Sequence, residues 1–103
     1  MPHFLLSYEL APDYLERRPQ FRDAHLALAW QAADSGALLL GGAVGDPVES
    51  ALLLFTDVDS ADAFARADPY VREGLVKSWR VTPWSTVVGP AAANPVHPMA
   101  AQG

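Results

Sequence analysis

The sequence predicts an α+β fold of the ferredoxin-like kind, in which strands and helices follow one another as βαββαβ. Three observations support this class. Apolar runs of strand length alternate with helix-length segments, glycine and proline separate them, and 103 residues suffice for one domain only. Both helices are then expected on one face of a four-stranded antiparallel sheet, and the other face must be polar or covered by something else.

The first half of the chain supplies one strand, one helix and a hairpin. Residues 3–8 are apolar and aromatic, which is typical of a strand. The helix is predicted over residues 19–35, because Pro19 suits a first helical turn and Gly36 suits the position just after a helix. Strands at residues 37–44 and 50–56 flank the turn residues Gly45, Asp46 and Pro47, so they are expected to form a hairpin.

The second half supplies a helix, a strand and a tail. Ser60 is predicted to cap a helix over residues 61–67, which Asp68 and Pro69 end, and a short turn reaches Gly74. A fourth strand is expected over residues 76–81, interrupted at Pro83 and followed by a separate edge segment at 85–88. We therefore divide the chain into a domain at 1–88 and an uncharged, Ala/Pro-rich tail at 89–103, with Trp79, Trp84 and this tail as candidates to cover the open sheet face.

Composition excludes several classes of function. Twelve acidic residues face seven basic ones, for a net charge of −5, so we expect no nucleic-acid partner and no membrane partner. Cysteine is absent, which excludes disulfides and thiolate chemistry, and the start of the chain has no signal-peptide pattern. A cytoplasmic protein is expected. His3, His25 and His97 show no metal-ligand spacing, so neither a metal nor another cofactor is predicted.

His25 is the first candidate for chemistry. On a helical wheel it falls within about 60° of Phe21, Leu28 and Ala32, so it points at the sheet from the middle of an apolar stripe. One interpretation is a core histidine that makes a single hydrogen bond. The other is an imidazole beside a pocket, suited to act as a general base.

An oriented imidazole needs an acceptor from another element. Asp23 and Asp34 lie on the far side of the same helix, whereas Asp68 ends the second helix, which packs beside the first. Asp68 can equally well be only a cap for the turn that begins at Pro69, and capping does not exclude a second role.

The remaining candidates would contact a substrate. Arg22 lies one turn before His25 and is either a contact for an anion or for Asp68, or a solvated side chain. Tyr8, Tyr70, Trp79 and Trp84 are candidates for an aromatic pocket, although aromatic residues in strands more often belong to a core or an interface. A further candidate, Gly42, follows Gly41 within a strand, where glycines favour close approach by a backbone or a ligand.

Several of these motifs, in this order and spacing, resemble the YciI-like (YCII-related) proteins over roughly residues 3–88. The motifs are the run from Arg22 to His25, Gly36 and Gly42 around strand 2, Asp68-Pro69-Tyr70, Gly74, and the run from Val81 to Trp84. The sequence departs from the family at Ala43, where proline is frequent, and at Glu49-Ser50, where glycine-serine is frequent.

The resemblance implies a dimeric α/β-barrel arrangement, with two sheets face to face and therefore a homodimer. It also implies a histidine–aspartate site, which maps onto His25 and Asp68, and a small-molecule ligand. Some relatives are dehydrochlorinases of oxygenated aromatic compounds, so a metal-free, lyase-like enzyme is expected. The alternative is a non-catalytic binding or interaction domain in which the same pair is structural.

Overall fold

The structure, a computed structural model, describes residues 2–99 and confirms the predicted order of strands and helices. The short turn predicted between Pro69 and Gly74 is a four-residue helix that follows the second long helix. The sheet is antiparallel, with strand order β2-β3-β1-β4, so β2 and β4 are its edges. The elements are β1 (His3–Leu10), α1 (Tyr14–Asp34), β2 (Leu38–Val44), β3 (Ser50–Phe55), α2 (Val58–Ala67), α3 (Pro69–Arg72) and β4 (Val76–Trp84).

The core lies between the helices and one face of the sheet. Leu6 pairs with Leu53, and Tyr8 pairs with Ala51, so these four side chains share the helix-covered face. Phe55 lies on the same face two positions beyond Leu53 and is fully buried. Helix α1 packs the predicted apolar stripe against this core, through the partly buried residues Phe21, Leu28 and Ala32.

Helix α1 begins earlier than predicted. It starts at Tyr14, so Pro19 lies inside the helix and not in its first turn. Pro19 has no N–H to offer the carbonyl of Leu15, but both residues are exposed, so water can satisfy that carbonyl. The predicted end is confirmed, because Gly36 follows the helix with a φ of +88° and its N–H donates to the carbonyl of Ala33 at 3.0 Å.

Helix α2 is capped by Asp57, so the predicted cap at Ser60 is wrong. The Asp57 carboxylate accepts hydrogen bonds from the Ser60 backbone N–H at 2.7 Å and from the Ser60 hydroxyl at 2.8 Å. These bonds stabilise the charged form and lower the pKa of Asp57. Ser60 therefore serves as the third helical residue, whose free N–H a cap normally binds. The helix ends at Ala67, as predicted from the bend at Asp68 and Pro69.

Strand β4 continues through the residues predicted to interrupt it. Pro83 pairs with Phe4 in β4, and an edge strand such as β4 is where a sheet tolerates proline. The prediction that Trp79 covers the open face is also wrong. Trp79 pairs with Tyr8 on the helix-covered face, where the guanidinium carbon of Arg66 lies 5.5 Å from its ring centroid.

The opposite face of the sheet has no helix on it in the described part of the chain, and we call it the open face. Leu40, Leu54 and Leu5 are paired in a row across β2, β3 and β1. Together with Trp84, which lies on this face as predicted, they line a groove of about 380 Å³. Leu40 is 72% exposed and Trp84 is 49% exposed, so the face is apolar and largely uncovered.

Residues 85–99 form a C-terminal arm outside the sheet, so the predicted edge segment at 85–88 is not a strand. Backbone bonds from Asn94 to Thr86 and from Val96 to Val87 fold the arm on itself, and the Thr86 hydroxyl contacts His3. The arm is mostly exposed, and the Cα radius of gyration of 15.8 Å exceeds the ~13 Å of a compact chain of this length. Residues 100–103 of the predicted tail lie outside the described residues.

None of the helices within residues 2–99 combines the length and the apolar character that a membrane span requires.

Candidate active site

A single buried carboxylate joins three elements at the centre of the molecule. Asp68 lies between α2 and α3 in extended backbone and is fully buried. Its Oδ2 accepts a hydrogen bond from the Tyr8 hydroxyl of β1 at 2.6 Å. Its Oδ1 accepts from the Tyr70 backbone N–H of α3 at 3.0 Å and lies 2.8 Å from Nδ1 of His25 in α1. Three donors thus satisfy a charge that would otherwise be costly to bury.

The contact with Asp68 fixes the tautomer of His25. An ionised carboxylate can only accept, so in the neutral imidazole Nδ1 carries the proton and Nε2 has the lone pair. The His25 ring stacks on the Tyr70 ring, with centroids 3.9 Å apart and planes 5° apart, and the Phe64 ring lies edge-on at 6.2 Å. The His25 side chain is 15% exposed, whereas Asp68 behind it is sealed. The imidazole is therefore held on both sides and still reachable.

Tyr8 is a positioning residue for this carboxylate. Burial raises the pKa of Tyr8, and the negative charge of Asp68 together with their hydrogen bond raises it further. The phenol therefore remains a hydrogen-bond donor at neutral pH. It fixes the Asp68 oxygen that His25 does not use.

His25 opens onto a cavity of about 370 Å³ between α1 and the β2–β3 side of the sheet. Its wall is mostly apolar, and Gly41 lies close to Leu53 in this wall, since a side-chain carbon at Gly41 would lie only 3.2 Å from the Leu53 side chain. The volume is at the lower end of the range for small-molecule sites. The lining residues are Tyr8, Tyr14, Arg18, Arg22, His25, Leu26, Ala29, Trp30, Ala33, Leu38, Leu39, Leu40, Gly41, Gly42, Ala43, Ala51, Leu53 and Tyr70.

The structure brings together most of the predicted site residues. Tyr8, Arg22, Gly42 and Tyr70 line the cavity beside His25, and Asp68 lies directly behind it. Trp84 is not brought to this cavity, since it lies on the open face of the sheet.

Among the aromatic and charged side chains of the wall, sequence reasoning missed Tyr14, Arg18 and Trp30. Tyr14 and Arg18 precede Arg22 at intervals of four residues, so they lie on the same side of the helix as Arg22. That spacing could have identified them. Among residues 2–99, no group of three or more histidine, aspartate or glutamate side chains is placed to hold a metal ion.

Comparison with known proteins defines the class to which this fold and site belong. The YCII-related domain profile matches residues 1–85, so the chain belongs to the YCII-related family. Among curated relatives, Protein YciI of Escherichia coli O6:H1 and that of Shigella flexneri are each 34% identical over 86 residues, covering 73% of this chain and 88% of theirs.

A solved structure shares the fold. It is the 5-chloro-2-hydroxyhydroquinone dehydrochlorinase of Burkholderia phenoliruptrix, in complex with 2,5-dihydroxybenzoquinone. Its TM-score is 0.66 at 22% identity, and the match covers 82% of this chain and 94% of that one. The fold is thus of the dimeric α/β-barrel type, as the family resemblance implied.

Proposed function

We propose that this protein is a small-molecule enzyme in which His25 is the general acid and base and Asp68 orients it. The observation that carries the proposal is the difference in access between the two side chains. Asp68 is sealed from solvent while His25 is partly open and lines the cavity. A histidine–aspartate pair on the wall of a cleft favours chemistry, whereas a fully sealed pair would favour a structural role.

The geometry suits proton transfer at Nε2. Asp68 holds the proton on Nδ1, so the Nε2 lone pair can accept a proton from a hydroxyl or an acidic C–H of the substrate. The imidazolium that forms is stabilised by the Asp68 carboxylate at 2.8 Å. Stacking on Tyr70 keeps the ring from rotating while it changes charge. A positioned group of this kind contributes roughly 10²–10⁴-fold in rate.

The proposed substrate is a small oxygenated ring compound. The mostly apolar wall of the cavity suits such a ring, and the structurally similar dehydrochlorinase is named for a chlorinated hydroxyhydroquinone. An elimination of hydrogen chloride would balance as follows: Nε2 takes a proton from an O–H or C–H bond, the electrons of that bond form a new C=O or C=C bond, and chloride leaves with the electrons of its C–Cl bond. No redox partner is required for that reaction.

The test is a turnover screen of chlorinated and unchlorinated di- and trihydroxybenzenes, with chloride release and ultraviolet absorbance as readouts. His25→Ala is expected to lower turnover by roughly 10²–10⁴-fold with the circular dichroism spectrum unchanged. His97→Ala is the matched control, because His97 is an exposed residue of the C-terminal arm. Turnover in His25→Ala equal to that of the wild type would refute the role of His25.

A second candidate is a non-catalytic binding module. It is favoured by one observation, that Asp68 also accepts the Tyr70 N–H and thereby caps α3 while it holds α1. This function predicts that the screen finds binding without turnover. It also predicts that His25→Ala lowers the free energy of unfolding by ~1–3 kcal/mol, because the substitution removes one donor from a buried acceptor.

We also infer a homodimer in which the open faces of two sheets pack together. The support is the row formed by Leu5, Leu40 and Leu54, whose exposure to water is unfavourable in a monomer, and the dimeric α/β-barrel type of the fold. Because the face carries a row of leucines together with Trp84, a second copy of the same face is a suitable partner.

A further inference from the structure

The cavity wall has a local charge opposite to that of the whole protein. Arg18 and Arg22 lie one helical turn apart on α1, and both line the cavity. Among the described residues, the lining contains these two arginines and His25 but no aspartate or glutamate. The chain as a whole carries a net charge of −5. A cleft with positive side chains and apolar walls concentrates anions.

Tyr70, another residue of this wall, has a buried hydroxyl group close enough to Arg22 for that side chain to lower its pKa. Tyr70 is 2% exposed, and its hydroxyl oxygen has no hydrogen-bond partner among the described protein groups. Burial raises the pKa of Tyr70, an effect that the charges of Arg22 and Arg18 partly oppose. The hydroxyl is therefore a donor at neutral pH. Buried hydroxyls almost always have an acceptor, so this one is available to donate to an acceptor on a ligand.

We propose that Arg18, Arg22 and Tyr70 form a carboxylate-binding subsite, and that the natural substrate is a planar ring compound that carries a carboxylate. Guanidinium groups bind carboxylates with paired, charge-assisted hydrogen bonds, and the Tyr70 hydroxyl adds a donor of a second type. Leu26 and Trp30 supply an apolar wall for the ring.

The subsite also places the ring of the ligand near the base. The His25 ring lies 3.9 Å from the Tyr70 ring, so a carboxylate held by the Tyr70 hydroxyl brings its own ring next to the imidazole. This inference rests on the proposed function for its catalytic meaning, since it names the charged group of the substrate. Binding of the carboxylate is a separate property that can be measured without turnover.

The experiment measures the binding of benzoate, salicylate and 1-naphthoate, and of their neutral carboxamides, by calorimetry on the full chain. Wild-type protein is expected to bind the carboxylates at least about tenfold more tightly than the amides, and less tightly as salt is added. Arg18→Gln and Arg22→Gln should each weaken carboxylate binding by about tenfold. Arg17→Gln is the matched control, because Arg17 lies near Asp13 outside the cavity lining.

Equal affinity of wild-type protein for carboxylates and amides would overturn the subsite, and so would the absence of any carboxylate binding at millimolar concentration. Carboxylate binding that is unchanged in both arginine variants would also overturn it. The wild-type comparison needs no variant to fold. Should His25→Gln keep full turnover while the arginine variants lose carboxylate binding, the proposed function fails and the subsite stands.

Discussion

Replacing Asp68 by asparagine or by alanine separates the structural and the chemical tasks of this carboxylate. Asparagine has the same shape, and its amide oxygen can accept from the Nδ1–H of His25 and the N–H of Tyr70. Its amide nitrogen can donate to the Tyr8 hydroxyl, which is able to accept. Three contacts are therefore kept in Asp68→Asn without the negative charge, but the contact with Tyr8 is reversed and the Tyr8 O–H loses its acceptor.

The two variants are expected to differ in stability. Alanine leaves the Tyr8 hydroxyl and the Tyr70 N–H buried without an acceptor, and removal of a charged partner from such a network costs about 3–5 kcal/mol. Asparagine should cost less, about 1–3 kcal/mol of the free energy of unfolding, because neutral hydrogen bonds replace charge-assisted ones and only the Tyr8 O–H loses its acceptor. Since small domains have about 5–15 kcal/mol in total, Asp68→Ala approaches the limit of folding and Asp68→Asn does not.

Urea denaturation measures the difference in stability between the two variants. Turnover on a substrate from the screen measures the loss of the negative charge in Asp68→Asn. Turnover in Asp68→Asn is expected to fall by roughly 10²–10⁴-fold, because nothing then stabilises the imidazolium of His25. Nitrogen NMR of the imidazole should still show the proton on Nδ1. Full turnover in Asp68→Asn would refute the role of the charge, and wild-type stability in Asp68→Ala would refute the energetic reasoning.

Three further predictions concern stability and assembly. The unfolded chain loses the Tyr8 proton near pH 10 while the folded chain keeps it, so the free energy of unfolding falls above about pH 10. Tyr8→Phe should reduce this fall by up to ~1.4 kcal/mol per pH unit, measured by urea titrations at several pH values. Equal pH dependence in the wild type and the variant would contradict this. Gly36→Ala should destabilise the protein by about 1 kcal/mol, because Gly36 has a φ of +88°. Gly42→Ala should not, because no atom lies within 4 Å of the added carbon. Equal midpoints of the two variants in thermal denaturation would contradict this difference. Leu54→Lys on the open face should convert the dimer to a monomer, as measured by light scattering. Leu15→Lys should not, because Leu15 is an exposed residue of α1. A wild-type monomer at micromolar concentration would refute the dimer.

The order of the elements could be predicted from sequence because it depends on local signals. Apolar runs and glycines such as Gly36 mark where elements begin and end, and the structure confirms that order. The face on which a side chain lies depends on strand pairing as well. Trp79 and Trp84 are an odd number of residues apart, so in one regular strand they must lie on opposite faces. The prediction put both tryptophans on the open face because a break at Pro83 would have separated Trp84 from the strand that contains Trp79. In the structure β4 runs unbroken through Pro83, so the two side chains lie on opposite faces.

Within the candidate site, too, some contacts follow from local sequence signals and others depend on strand order. Asp68 was identifiable as a possible partner of His25, because acids on the same helix point the wrong way and α2 ends nearby. The bond from Tyr8 to Asp68 was not identifiable, since it depends on β1 lying centrally in the strand order β2-β3-β1-β4. Arg18 was identifiable from the sequence, because it lies one helical turn before Arg22 on the same face of α1.

The edge strand β2 links the two faces of the molecule. Its central residues, from Leu40 to Ala43, line both the cavity beside His25 and the groove on the open face. Leu39 and Leu40 are 46% and 72% exposed, so this rim of the cavity is open to solvent in the single chain. In the proposed dimer a second sheet would pack against the groove side of the same strand. Assembly would then restrict the motion of the cavity rim, and Leu54→Lys should weaken ligand binding even though Leu54 does not line the cavity.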